Sequence, residues 1–242
     1  MPKVEVSVVI PTLNSAETLE KCLASVKANK SKYTYEIIVV DAGSSDETLI
    51  IAEKYADKVF KGVPNRINRN IGVQNAEGDI ICFTDSDCVV PEDWIDRLVD
   101  GLLRLHKEDP KVVGVGGGNL PPESENNLSF VEMAISKAMR SPLISFKARN
   151  TAVYKSERQV LHNPPINCAL FKQIINEVGG FREEPGYPED LDLDMKINER
   201  GYKLFYLPYP IVWHKHKADL QRFAAQMRDF GRKRIRANRE HP

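Results

Sequence analysis

No run of about 18 apolar residues occurs in the chain, so no segment is expected to cross a bilayer. No leader peptide is expected either, because Met1-Pro2-Lys3 passes at once into a strand-like pattern. Cys22, Cys82, Cys88 and Cys168 form no C-x-x-C pair, and a reduced, cytoplasmic setting is the simplest reading of them. Net charge is lacking too, since 34 Lys and Arg balance 34 Asp and Glu. Nucleic-acid binding through bulk charge is therefore not expected. The glycine-rich run at 114–118 lacks G-x-G-x-x-G spacing and falls late, which argues against a dinucleotide loop. No internal repeat or low-complexity tract is present.

What remains is a globular composition. The 242 residues are 42% hydrophobic and 28% charged, enough for one large α/β domain or two small ones. The charge is unevenly placed, with nine Lys or Arg against three acids in residues 214–242. The rest of the chain is acidic and the tail is a basic arm.

Residues 4–10 are rich in β-branched side chains and stop at Pro11, as a strand does. Ser15 then opens a helical pattern as its N-cap, with Leu19, Cys22, Leu23 and Val26 on one face. The apolar run 36–40 reads as a strand buried on both faces and ends at Asp41. Ser45 or Asp46 caps a helix over 47–55, and Val59-Phe60 is a short strand. A helix is predicted over 66–76, with Ile67, Ile71 and 73–76 facing inwards, ended by Gly78. A strand follows over 79–84. Pro91 suits the first turn of a helix running to about His106, and 111–115 is another strand. This βαβαβαβ alternation implies a mostly parallel sheet with helices on both faces and ligands at the strand C-termini. Thr12–Asn14, Asp41 and Asp85–Asp87 all fall at that rim.

After Gly118 the texture changes. Residues 119–165 are Pro- and Asn-rich, with a helix predicted over 128–139, and read as an insertion or lid closed by Pro164-Pro165. Strand-then-helix returns over 167–178, capped by Gly179-Gly180. A helix over 189–200 ends at Gly201, and 204–207 is a short strand.

Asp85 and Asp87 follow the apolar run Ile80-Ile81-Cys82-Phe83. In an extended strand they project to one face while Ser86 points away. Two hard oxygen ligands suit Mg²⁺ or Mn²⁺, with substrate phosphates completing the shell. The alternative is a solvated strand end.

In order, the chain reads V-V-I-P-T-L-N (8–14), I-V-V-D-A-G-S-S-D (38–46), R-N-I-G (69–72), D-S-D (85–87), G-G-F (179–181) and E-D-L-D-L (189–193). Over roughly residues 4–214 this resembles the family 2 inverting nucleotide-sugar glycosyltransferases with the GT-A fold. The resemblance implies a single, mostly parallel mixed α/β sheet. It also implies a nucleotide-sugar-binding half at 1–118, an acceptor-side half at 119–213 and a basic amphipathic tail at 214–242. Asp41 would accept hydrogen bonds from the base or ribose, unless it serves only the turn. Pro11, Thr12 and Asn14 would shape the base pocket, with Asn14 alternatively a turn residue. Arg69 would reach the base or diphosphate, unless it is a solvated helix charge. Asp85 and Ser86 would lie against the nucleotide sugar, with Asp85 touching ribose or metal. Asp87 would ligate Mn²⁺ or Mg²⁺, joined by His214. Asp190 would be the general base, with Glu189 beside it in the acceptor site; otherwise both acids simply suit a helix N-terminus.

Departures from the family pattern matter. A second acid commonly follows the position of Asp41; here it is Ala42. The family's arginine seven residues after Glu189 is Lys196, which cannot make a bidentate contact. The Q-x-x-R-W signature of processive synthases is missing, which favours transfer of one sugar over chain extension. A UDP-sugar is favoured as donor, GDP is the alternative, and the acceptor is a glycan or lipid-linked precursor.

In the tail, Leu220, Phe223, Ala224, Met227, Phe230 and Ile235 give a partly amphipathic helical pattern, with Arg234 on the same stripe. The other positions are largely basic. Attraction to an anionic membrane surface is expected, placing the protein at the inner face of the cell membrane. Packing of the apolar stripe on the domain is the alternative. The ending resembles the juncture before transmembrane helices in exopolysaccharide-type membrane glycosyltransferases, so the chain is read as part of a longer protein. A nucleotidyltransferase would want a Gly-rich basic loop after the first strand, where P-T-L-N-S-A stands. A non-catalytic binding module would be expected to have lost the D-S-D or E-D acids.

Overall fold

The β-branched residues of Val6–Thr12 form β1, the strand on which the rest is built. The computed structural model describes residues 3–64, 68–120, 130–131, 134, 154–184, 186–214 and 220–241. Along the chain β1 is followed by α1 (Ala16–Lys27), β2 (Tyr35–Asp41), α2 (Thr48–Tyr55), β3 (Lys58–Lys61), α3 (Arg69–Asn75) and β4 (Ile80–Thr84). Then come β5 (Cys88–Val89), α4 (Trp94–Glu108), β6 (Val112–Leu120), β7 (Arg158–Val160), β8 (Asn167–Phe171) and α5 (Lys172–Glu177). The last elements are α6 (Glu189–Glu199), β9 (Lys203–His214) and α7 (Leu220–Glu240).

These strands make one mixed sheet in the order β3-β2-β1-β4-β8-β6-β9-β5, with β7 also paired to β9. β3, β2, β1 and β4 are parallel, as the alternation predicts. Beyond β4 the expectation changes: β8 runs antiparallel between β4 and β6, while β6 and β9 are parallel. Side-chain alternation fills both faces. Val8 and Ile10 pack with Leu19, Leu23 and Val26 of α1 and with Leu98 and Leu102 of α4. Val9 points the other way, toward Val73, Ile175 and Leu193. Each fully buried Leu or Ile contributes about 1.5–3 kcal/mol, which is why helices of modest propensity hold here.

Boundaries differ where tertiary contacts override local pattern. The helix predicted over 66–76 is Arg69–Asn75 in the structure, and Ile67 lies outside the described residues. α4 begins at Trp94, and Pro91 instead closes the preceding turn by accepting the Trp94 amide. β6 extends through the glycine-rich run to Leu120. A side chain at Gly117 would meet the Pro210 carbonyl oxygen 2.1 Å away, so the glycine is there for close approach. The insertion contains β7, which the sequence reading did not anticipate. Of the helix predicted over 128–139, Phe130, Val131 and Ala134 are helical and the rest lies outside the described residues. After α5, Gly179 and Gly180 (φ +86° and +71°) donate back to Asn176 and Ile175 as the predicted cap.

The tail helix folds back on the domain. Ala237 is fully buried. Arg236 pairs with Glu184, Arg182 pairs with Glu240, and both guanidinium groups stack on Tyr187. His241 meets Asp192 and Glu199 of α6 at 3.1 and 2.6 Å.

Candidate active site

Loops after β1, β2 and β4 meet at one rim, at the point where the chain crosses from the β3 side of β1 to the β4 side. Thr12, the last residue of β1, donates its hydroxyl to Asp41, the last of β2, at 3.2 Å. Asp41 also accepts the Gly43 and Ser44 amides at 3.1 and 2.9 Å. Asn14 sits at φ +47° and accepts the Ser45 amide at 2.9 Å. Asp46 accepts the amides of Ala16 and Thr48, so one carboxylate fastens the starts of α1 and α2. Asp46 thus serves α2, as predicted. Ser15 stands at the N-cap of α1 but makes no side-chain capping bond; its hydroxyl meets Ser86 at 2.8 Å. Pro11 pairs in register with Val40 beneath this loop pair.

The D-S-D residues are not extended. Cys88 donates its amide to the Asp85 carbonyl at 3.1 Å, so Asp85–Cys88 is a tight turn beyond β4. The two carboxylates therefore part company. Asp87 meets His214 Nε2 at 3.1 Å. This contact exists because β5 pairs Cys88 with His214 at the end of β9. Asp85 instead meets Arg69 at 2.8 Å. The same guanidinium reaches Glu189 at 2.9 Å, and Asp85 is thereby tied to the first turn of α6. Arg69 is only 4% exposed, so it is neither a solvated helix charge nor, in this arrangement, directed outward to a phosphate. Burial and then the Asp190 charge push the Glu189 carboxyl upward, while Arg69 pulls it back.

Asp190 lies beside Glu189, and one of its oxygens accepts the Leu191 amide at 2.8 Å. The other lies 3.7 Å from His162 Nε2. Lys196 binds Asp192 and the Gly180 carbonyl, so it braces α6 rather than entering the site. His162 and Asp194 were not singled out from sequence. A signal existed: Asp194 lies between Leu193 and Ile197 on the buried stripe of α6, where an acid demands a partner.

Asp87, Cys88 and His214 offer ligand atoms that all lie within 4.8 Å of one another. The 3.1 Å between the Asp87 oxygen and His214 Nε2 matches two adjacent corners of an octahedron, about 3 Å apart. Burial pushes the Cys88 thiol well up, so it stays protonated and unsuited to a hard cation. The donors present fit Mn²⁺ or Mg²⁺ held by one carboxylate and one imidazole.

A mixed sheet carrying acids at the end of its parallel half is the GT-A arrangement. The chain belongs to the family described as glycosyl transferase family 2, which matches residues 7–178. It is 26% identical over 211 residues to glycosyltransferase AglE of Haloferax volcanii, covering 83% of this chain and 64% of AglE. It is 24% identical to succinoglycan biosynthesis protein ExoA of Rhizobium meliloti, covering 97% of this chain and 70% of ExoA. Among solved structures it resembles the mannosyltransferase PcManGT of Pyrobaculum calidifontis in complex with GDP-Man and Mn²⁺. There the TM-score is 0.65 and the identity 21%, over 93% of this chain and 60% of that one. The S. aureus TarS 1–349 complex with UDP-GlcNAc gives a TM-score of 0.60 at 19% identity, over 88% and 59%. The chain thus spans about two thirds of the curated relatives and less of the solved chains.

Proposed function

We propose that this chain carries the donor site and catalytic acids of a metal-dependent, inverting glycosyltransferase. It moves one sugar from a nucleoside-diphosphate sugar to a hydroxyl of a glycan or lipid-linked acceptor. The observation that carries the reading is the shared rim. There Arg69 holds Glu189, the neighbour of Asp190, and Asp85, which lies in the same turn as the His214 partner Asp87. A divalent cation on Asp87 and His214 would neutralise the leaving diphosphate. The residues at the ends of β1 and β2 hold the nucleoside, with UDP favoured and GDP the alternative. Asp190 takes the proton of the acceptor hydroxyl as its oxygen bonds to the anomeric carbon and the bond to the diphosphate breaks. Glu189 borders the acceptor on the same turn.

The test is a thermal-shift panel of UDP-, GDP- and dTDP-sugars with and without Mn²⁺. At a ligand concentration of about 100 Kd the stabilisation is roughly 2.7 kcal/mol, a rise of about 5–10 °C for a domain of this size. One nucleotide is expected to give that rise only with the cation. Asp87→Ala is expected to lose the cation-dependent part, and an undiminished response in the variant removes the metal role of Asp87.

The tail supports a membrane-surface location as part of the same proposal. No helix among the described residues is long and apolar enough to cross a membrane. Arg228, Arg232 and Arg239 are exposed on the same helix as Leu220 and Ile235, which are 58% and 59% exposed. Arg236 and Lys233 are committed to acids, so the electrostatic pull is smaller than the tail's composition suggests. Three arginines at about 1 kcal/mol each give weak, salt-sensitive attachment. The protein is expected to co-sediment with anionic vesicles at low salt and to be released as salt rises. Changing Arg228, Arg232 and Arg239 together to Glu is expected to abolish the effect; if the triple variant sediments as before, the surface reading of the tail is wrong.

A further inference from the structure

His162 lies in the loop between β7 and β8, outside the family's sequence motifs quoted above. It is 8% exposed, and its partner Asp194 is 2% exposed. His162 Nδ1 is 2.7 Å from Asp194 Oδ2, and the Asn163 amide donates to that same oxygen at 2.7 Å. With Asp194 as the carboxylate that accepts both bonds, Nδ1 carries the proton. His162 Nε2 therefore faces Asp190 Oδ2, 3.7 Å away. Asp190 and Asp194 are four residues apart on α6, so one helix face presents both acids to one imidazole. The loop is pinned to its surroundings at two points. Asn198 of α6 donates to the Leu161 carbonyl at 2.9 Å, and Asn163 donates to the Phe205 carbonyl at 3.0 Å. A histidine that served packing alone would need the Asp194 bond only; here the second nitrogen is aimed at the acid assigned as base.

We propose that His162, held by Asp194, is a positioning residue for Asp190 and the receiver of its proton. The inference rests on the reading of Asp190 as general base. As the acceptor oxygen bonds to the anomeric carbon and the diphosphate leaves, the hydroxyl proton passes to Asp190. It then passes from the Asp190 carboxyl to His162 Nε2, leaving an imidazolium between two carboxylates. Asp190 regains its charge, and the proton returns to water when the products leave. The 3.7 Å separation closes to hydrogen-bond length by rotation of the Asp190 side chain, whose Leu191 bond is local and exchangeable.

The test is a double-mutant cycle on the full chain, with the donor selected by the thermal-shift panel, read as kcat and donor KM for transfer to a hydroxyl acceptor. His162→Gln keeps a donor toward Asp194 but cannot take up a proton. It is expected to lower kcat about 10- to 100-fold, the scale of losing the support of a reacting group, with donor KM unchanged. On an Asp190→Asn background the same change is expected to have almost no effect on kcat, because the two act as a unit. Asp194→Asn, nearly isosteric, supplies a second cycle with the same expectation if His162→Gln does not fold. Equal losses on both backgrounds, or no loss in wild type, overturn the role of His162 while leaving the base intact. Wild-type turnover of a hydroxyl acceptor in Asp190→Asn alone overturns the base reading itself.

Discussion

Asp190→Asn is expected to lower turnover by about 10² to 10⁴ while leaving the donor-induced thermal shift at its wild-type size. The substitution preserves volume and the acceptor oxygen that receives the Leu191 amide, so α6 keeps its start. What disappears is the lone pair basic enough to take a proton. The residues proposed to hold the nucleotide do not include Asp190, so donor binding is expected to persist. Single-turnover measurement with preloaded donor separates the two steps. An Asp190→Asn protein with normal turnover assigns the base elsewhere. It also fits an acceptor that is already ionised, such as a lipid phosphate with a pKa near about 6. The pair of rates on hydroxyl and phosphate acceptors tells these apart.

Arg69→Ala is expected to have the largest effect on stability. The guanidinium is held by Asp85 at 2.8 Å and Glu189 at 2.9 Å, and its own side chain is 5% exposed. Removing it leaves two acids facing each other without a counter-charge, one of them largely buried. Breaking a buried pair from one side costs about 3–5 kcal/mol; the half-exposed Asp85 puts this case near the lower end. For a domain of this size that lowers Tm by roughly 6–12 °C. Arg69→Lys keeps the charge but cannot span both acids, and an intermediate loss is expected. A melting curve for Arg69→Ala within about 2 °C of wild type would show that the acids find other partners.

The parallel half of the sheet was legible because its punctuation is local. β-Branched runs end at Pro11, Asp41 and Thr84, and each is followed by a helical period. The antiparallel insertion of β8 was not legible, since strand order is set by packing across the sheet and leaves no mark on neighbouring residues. β9, Lys203–His214, was read as the four-residue strand 204–207, and the observed strand continues through Pro208 and Pro210. The structure accommodates them where the register with β6 slips between Gly116–Tyr206 and Gly118–Ile211. The acids of the site were found from their types and order. The resemblance set His214 beside Asp87, but the contacts of Arg69 with Asp85 and Glu189 and of His162 with Asp190 and Asp194 were not read from the sequence. Asp87 and His214 are 127 residues apart and meet only through the two-residue β5. The turn at Asp85–Cys88 also separated two carboxylates that a strand would have kept together.

The placement of β8 has a consequence for how the molecule comes to exist. Residues 1–118 look like a unit on paper, yet β4 and β6, both within it, are joined only by a strand from residues 167–171. During synthesis the ribosome releases these two edges long before their common neighbour emerges. The contacts among β1, β2 and α1 are short-range in sequence and close the shortest loops. The loop closure that brings β8 home is the slow, entropically expensive event. Until it happens the edges of β4 and β6 that β8 will cover are open to other chains, and a chain cut after Gly118 would keep them open for good.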